Sequence, residues 1–419
     1  TLIPLIYFHL WGQKIHLAIK WLGIFTGTFA ALAILLTQSP IASPGIYLAE
    51  HTLTIGFGLA ISWLFWNGHG VLSGIYILLA RANRNLNLNV RVQIILVTII
   101  YLSTLFFILM DLQGDLNFPF PVFSALFLLI PIGIFGRISI GEKVEQSEEL
   151  VSTPIVIKAL HLIGFGLALW LVWKMKLSGN QPAEELFKHL LIYSQLGFSL
   201  FFFIYLMANF MSVMNSGKAI EKIVFKPYSL VYYHVRIGGL IIILVMTTYT
   251  GGIIGVQANA MTSNILAEYY YKIGKKLEAS ILYENAWMRY RKNPKAKFTA
   301  AQLLIDLKQP TLAKSHLEES FTEAPQVDNI LLLADRLHQE NKVFEAIYYL
   351  ENGLSIFPDE PHLLNNLGLF YTKVNKSAEA LKLMDSIEST DPVLHANLTA
   401  LKTKLGKPEV NSDGSSDLI

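Results

Sequence analysis

The stretch Leu364-Asn365-Asn366-Leu367-Gly368-Leu369-Phe370-Tyr371, followed by Ala380 and Pro392, decides the fold of the carboxyl-terminal part of this chain, because its spacing recurs upstream. Ala380 ends a ladder, Ala279, Ala313, Ala346 and Ala380, with steps of 34, 33 and 34 residues. Before each rung, at a constant distance, stands another small residue: Ala267, Ala301, Ala334 and Gly368. Shortly beyond those lie the large apolar residues Tyr270, Leu304, Leu337 and Tyr371. Pro325, Pro358 and Pro392 follow the last three rungs at equal distance. A period of about 34 residues is that of a helical hairpin, which buries its apolar stripe only by stacking on its neighbours. Small residues let the two helices of a pair approach closely. Large ones fill the gap to the next pair, and a proline cannot continue the helix it follows.

This stretch resembles the tetratricopeptide repeat family. The resemblance is best over 364–392, where Leu367-Gly368, Tyr371, Ala380 and Pro392 stand in the expected places. The first unit departs from the pattern, since Pro294 falls late, and Leu317 and Leu350 stand where an aromatic residue is usual. The resemblance implies four repeats over 263–405, the last part (393–405) being a solvating cap helix, and then a polar tail over 406–419. It implies binding rather than chemistry: a concave groove that takes a peptide or helix of a protein partner. In this family the inner wall comes from the first helix of each pair, expected here at 262–273, 296–307, 329–340 and 362–373. Asn264, Asn329, Asn365 and Asn366 are the candidate partner-binding residues on those helices. An asparagine amide donates and accepts at once and so can hold a peptide backbone; helix capping is the competing reading.

The rest of the chain is of another kind. Of 419 residues, 53% are hydrophobic and 15% charged, too apolar for an ordinary soluble protein. There is no cysteine, which excludes disulfides, thiolate metal sites and cysteine nucleophiles. Seven apolar segments have the length of about 20 residues that crosses a bilayer, at 17–36, 46–66, 91–110, 119–138, 155–173, 190–211 and 230–250. Residues 71–80 are apolar but too short, and Gly68, Gly70 and Gly74 beside them predict an interfacial or re-entrant turn. The expected organisation is all-α: a polytopic membrane domain over 1–256, a short junction at 257–262, and a helical solenoid after it.

Basic residues mark the cytoplasmic loops of membrane proteins. One alternate set of loops holds Lys14, Lys20, Arg81, Arg84, Arg91, Arg137, Lys143, Lys218, Lys222 and Lys226; the other holds only Lys174, Lys176 and Lys188. With seven crossings this places the repeats outside the cytoplasm, in the periplasm of a bacterial inner membrane. The first repeat is rich in lysine and arginine, which fits attraction to anionic lipid and equally a solvated helix face.

Candidate chemistry is sparse. Ile55-Gly56-Phe57-Gly58-Leu59-Ala60 recurs as Ile163-Gly164-Phe165-Gly166-Leu167-Ala168, each with a histidine before it (His51, His161) and a tryptophan after it (Trp63, Trp170). Such a pair fits an inverted repeat of a transporter, and equally glycines that let helices pack closely. Paired imidazoles on facing helices, His51 with His189 and His161 with His234, are candidate haem or ligand groups, but no motif supports them and no cofactor is expected. Asp111 and Asp115 on an outer loop are a candidate divalent-ion pair or simply solvated. No phosphate loop, nucleophile elbow or dinucleotide fingerprint occurs, and nothing points to nucleic acid. The sequence therefore favours a membrane scaffold that binds a protein partner, alongside lipids and other membrane subunits. The alternative is a membrane-embedded enzyme, such as a glycosyltransferase, or a transporter with a recruiting tail.

Overall fold

A computed structural model describes residues 17–86, 89–114, 123–146, 154–216, 219–226, 229–387 and 391–406. All regular structure among them is helical. The chain clusters into two compact units, and their boundaries differ from the simple front-and-tail division. One unit comprises Thr1–Lys174, Phe187–Met246 and Glu268–Gly274; the other comprises Met175–Leu186, Thr247–Ala267 and Lys275–Ile419. The expected junction at 257–262 is not a connector: it lies inside one continuous helix, Ile253–Lys272.

The apolar unit is built on α1 (Leu17–Gln38), α2 (Pro44–Trp66), α3 (Gly70–Leu86), α4 (Val90–Gln113), α5 (Leu129–Glu145), α6 (Pro154–Ser178), α7 (Gln181–Phe210) and α8 (Tyr233–Tyr249). Local chemistry sets their ends. Pro44 occupies the first turn of α2, where its missing N–H costs nothing. The Asn89 side chain accepts from Val92 N at the start of α4, and Gly114 closes that helix with φ 78°. Five helical stretches are long and apolar enough to cross a membrane, or six if the bent pair Tyr233–Tyr249 and Ile253–Lys272 counts as one. Large apolar residues such as Leu96, Ile99, Ile100 and Phe106 stand exposed on α4, as a lipid-facing wall requires.

The short apolar piece after Gly70 is a full helix rather than a turn. It continues the apolar run of α2 past a break at Asn67–His69 and packs along α5. The approach is close because glycine lines it: Gly70 lies against Gly136, and a Cβ on Gly74 would come 2.5 Å from the Phe135 carbonyl oxygen.

The second unit is a run of helical hairpins. After α9 (Ile253–Lys272) come α10 (Lys276–Arg289), α11 (Pro294–Asp306), α12 (Pro310–Glu323), α13 (Val327–Gln339), α14 (Val343–Ile356), α15 (Pro361–Lys373), α16 (Ser377–Asp385) and α17 (Pro392–Lys404). Each helix from α10 onward packs on the next. The rungs Ala279, Ala313, Ala346 and Ala380 are all fully buried, and a Cβ on Gly368 would meet Met384. Pro392 does not end a helix as expected; it opens α17 in the first turn, as Pro294 opens α11. The turn inside each hairpin repeats as well. Gly274, Lys308, Asn341 and Asn375 all have positive φ, at 80°, 59°, 61° and 62°. In three of these turns the next residue bonds back across the helix end: Gln309 N to Leu304 O, Lys342 N to Leu337 O and Lys376 N to Tyr371 O. That is the Schellman closure, which satisfies carbonyls the helix leaves open.

Candidate functional site

The break between α2 and α3 gathers several buried polar groups of the apolar unit. Gly68 sits at the break because a Cβ there would enter the Phe198 ring. The break frees the carbonyls of Phe65 and Trp66, which accept from Arg236 at the start of α8, at 2.7 and 2.9 Å. A cation at a helix C-terminus also complements the helix dipole.

Arg236 reaches further, to the Tyr232 hydroxyl at 3.3 Å, and Lys143 of α5 reaches the same hydroxyl at 3.3 Å. Lys143 also lies 4.4 Å from the centre of the Tyr232 ring. Both cations only donate, so the phenol oxygen accepts from each and its own proton goes to the third neighbour, His69 Nε2. His69 Nδ1 then donates to Ser73 Oγ at 3.2 Å, and Ser73 Oγ lies 2.6 Å from Ser139 Oγ. The His69 ring stacks on Phe202. A directed hydrogen-bond chain thus runs from the loop before α8 into the seam between α3 and α5. Nearby on α5, the buried Glu142 carboxylate pairs with Arg81.

A second group lies on the other side of the break. Trp63 Nε1, Asn67 Oδ1 and His161 Nδ1 are buried and have no hydrogen-bond partner among the described residues. His161 Nε2 donates to the Gly133 carbonyl at 3.0 Å, so its Nδ1 is an acceptor. Asn67 spends its amide N–H on Trp63 O at 3.0 Å, and its oxygen faces Gly136, as does His161 Cε1.

The other candidate histidines have local roles. His51 bonds the Tyr47 carbonyl and stacks on the Tyr47 ring. His234 bonds the Val231 carbonyl beside Tyr233. His189 is buried with its ring edge-on to Tyr193. Asp111 lies in the last turn of α4, and Asp115 falls outside the described residues.

The repeated hexapeptide has a plain geometric meaning. A Cβ on Gly56 would come 2.7 Å from Trp170, the tryptophan after the second copy, and a Cβ on Gly164 would meet Trp63, the tryptophan after the first. The two copies pack on each other reciprocally across α2 and α6, glycine under tryptophan both ways. Gly58 and Gly166 face open space.

In the hairpin unit, three of the four candidate asparagines are covered, which corrects the expectation of a groove lined by all four. Asn264 is 2% exposed; its amide donates to Asn180 and Asn293, and Asn293 donates back at 3.2 Å. Asn329 is buried and donates to Ser320 Oγ. Asn365 is buried and accepts from Asn397 at 3.1 Å. None of the three begins its helix, so capping was not their role either; each ties neighbouring segments together. Asn366 alone stays partly exposed, its N–H returning to the His362 carbonyl. Asn264→Ala is accordingly expected to leave the Asn293 amide unpaired and cost about 1–3 kcal/mol of stability, whereas Asn366→Ala should stay within about 0.5 kcal/mol. Thermal melts of the two variants check this.

The same unit holds an ion network around one buried cation. Lys297 of α11 is fully buried, 2.7 Å from Glu319 and 3.3 Å from Glu284. His316 Nδ1 stands 2.9 Å from Glu284, Arg291 pairs with Glu319, and Trp287 Nε1 donates to Glu319 at 3.3 Å. Partial burial raises the Glu319 carboxyl, but the bonds from Lys297 and Trp287 outweigh it and hold it down at about 2.

No protein-family model and no curated protein matches this chain.

Proposed function

We propose that the chain is an integral membrane scaffold whose tail, a tetratricopeptide-repeat array, captures a protein partner within a membrane-associated complex. In this reading seven helices cross a bacterial inner membrane, and the ten-to-three excess of basic residues on one set of loops puts the array in the periplasm. The observation that carries the binding role is an exposed aromatic pair on the hairpin unit. Phe344 is 78% exposed and Tyr348, one turn along α14, is 59% exposed. Leu277 and Ile281 hold the corresponding places on α10 and are 52% exposed each. Exposed aromatic residues such as the pair on α14 are common energetic centres of protein interfaces. A photo-crosslinking residue at 344, tested in cells, should give one discrete adduct, and Tyr348→Glu should abolish it. A smear of adducts, or an adduct indifferent to the glutamate, would count against capture by this face. Sidedness is read separately: a reporter active only in the cytoplasm and fused after Leu405 should stay silent.

A further inference from the structure

Lys143 and Arg236 converge on one hydroxyl, an arrangement that the scaffold reading does not use. Both reach the single oxygen of Tyr232, at 3.3 Å each, so two positive charges share one hydroxyl. Among the described residues neither has a carboxylate within ion-pairing distance. The nearby acid, Glu142, is committed to Arg81. Two like charges this close repel, and in surroundings of lowered dielectric the repulsion is larger than in water. The phenol cannot offset it, because it contributes no negative charge while its proton is given to His69.

The donors are also under-used. Lys143 uses one of three N–H groups, on Tyr232. Arg236 uses three N–H groups, on Phe65 O, Trp66 O and Tyr232, of the five a guanidinium carries. Each cation also lies over aromatic rings, Lys143 over Tyr232 and Phe225 and Arg236 over Phe198 and Tyr232, yet four N–H donors and two positive charges meet at one partly exposed place, which suits an acceptor with several oxygens and a negative charge. The cluster lies where α2 breaks, α5 nears its end and α8 begins, at an end of the apolar helices rather than at their middle. Lipid phosphates lie at that level of a bilayer, and basic side chains at helix ends bind them there.

We propose that Lys143 and Arg236, framed by Tyr232, hold a phosphate oxyanion at this end of the membrane unit. Arg236 has a double task, since it also closes α2; Lys143 closes no helix and holds only the aromatic frame of Tyr232 and Phe225 besides. A bound phosphate would fix Arg236 on the α2 carbonyls and so steady the α2–α3 break.

The test uses the full chain in maltoside detergent, with thermal unfolding followed during separate titrations of dihexanoyl phosphatidylglycerol and inorganic phosphate. The expected result is a saturable rise in melting temperature with one of the two. Lys143→Gln should raise the midpoint concentration at least tenfold, and Lys143→Arg should restore it. A rise with the lipid alone identifies a headgroup, and a rise with inorganic phosphate identifies a soluble phosphate. No rise with either probe overturns the proposal, and so does a rise of equal midpoint in Lys143→Gln. If Lys143→Gln does not fold, the Lys143→Arg titration decides, because loss of the rise in that charge-retaining variant would equally overturn it.

Discussion

Lys297→Ala will lose roughly 2–3 kcal/mol of stability in the hairpin unit, less than the ~3–5 kcal/mol of a wholly buried ion pair, because the two carboxylates it holds are 31% and 35% exposed. Lys297 is wholly buried and is the one cation that Glu284 and Glu319 both touch, at 3.3 and 2.7 Å. Its removal leaves two carboxylates and a cavity together. Replacing the whole network, as Lys297→Met with Glu284→Gln and Glu319→Gln, should cost much less, because no buried charge is then left without a partner. Hydrogen exchange over Lys276–Glu323 in the full chain reads the local effect; protection within about 1 kcal/mol of the parent in Lys297→Ala would sink the account. The same network sets an acid limit. The Glu319 carboxyl is held at about 2, below its ordinary value near 4.3. A group lowered in the folded state binds fewer protons folded than unfolded, so its contribution is present above the unfolded value and is lost as pH falls towards about 2. Glu284 is lowered too, where contacts with His316 and Lys297 outweigh burial, and adds to that loss. Loosening of α10–α12 should therefore set in below about pH 4.5 and not on the alkaline side.

Gly56→Ala and Gly164→Ala will each cost about 1–3 kcal/mol, while Gly58→Ala and Gly166→Ala will cost almost nothing. The first two glycines each lie under a tryptophan of the opposite helix, and the second two face open space. Because Gly56 packs on Trp170, Trp170→Leu should relieve much of the damage of Gly56→Ala. The contrast also decides what the repeated hexapeptide is for. Equal damage at all four glycines, or lost function without lost stability, would point back to a transport pathway.

That hexapeptide shows how far the sequence can be read. Its recurrence was plain, and so was the alternative that the glycines serve packing. Which glycine packs and which faces outward follows from the rotation of α2 against α6, which no linear spacing encodes. The hairpin ladder was more legible: its period is imposed by the length of one hairpin, so the expected helices 296–307, 329–340 and 362–373 lie within two residues of α11, α13 and α15. Ends were read less well. Position 253 carries no stop signal that would separate α9 from the repeats, so the first helix began earlier than the family pattern implies. The asparagines failed for a different reason. An amide is suited to a groove and to a buried seam alike, and only burial distinguishes the two. The cluster around Tyr232 joins residues 69, 143, 232 and 236. Each had an ordinary local explanation, and their convergence exists only in three dimensions.

The amide seam of Asn180, Asn264 and Asn293 has one more consequence, and it concerns heredity rather than energy. Repeat arrays are commonly regarded as modules that recombination can detach and reuse. Here Asn180 comes from the turn between α6 and α7, and the compact unit that contains the array also contains Met175–Leu186. A gene fragment beginning near position 257 would encode every repeat yet omit the strip on which the first one closes. The near end of the array is thus closed in part by residues encoded far upstream, between two apolar helices.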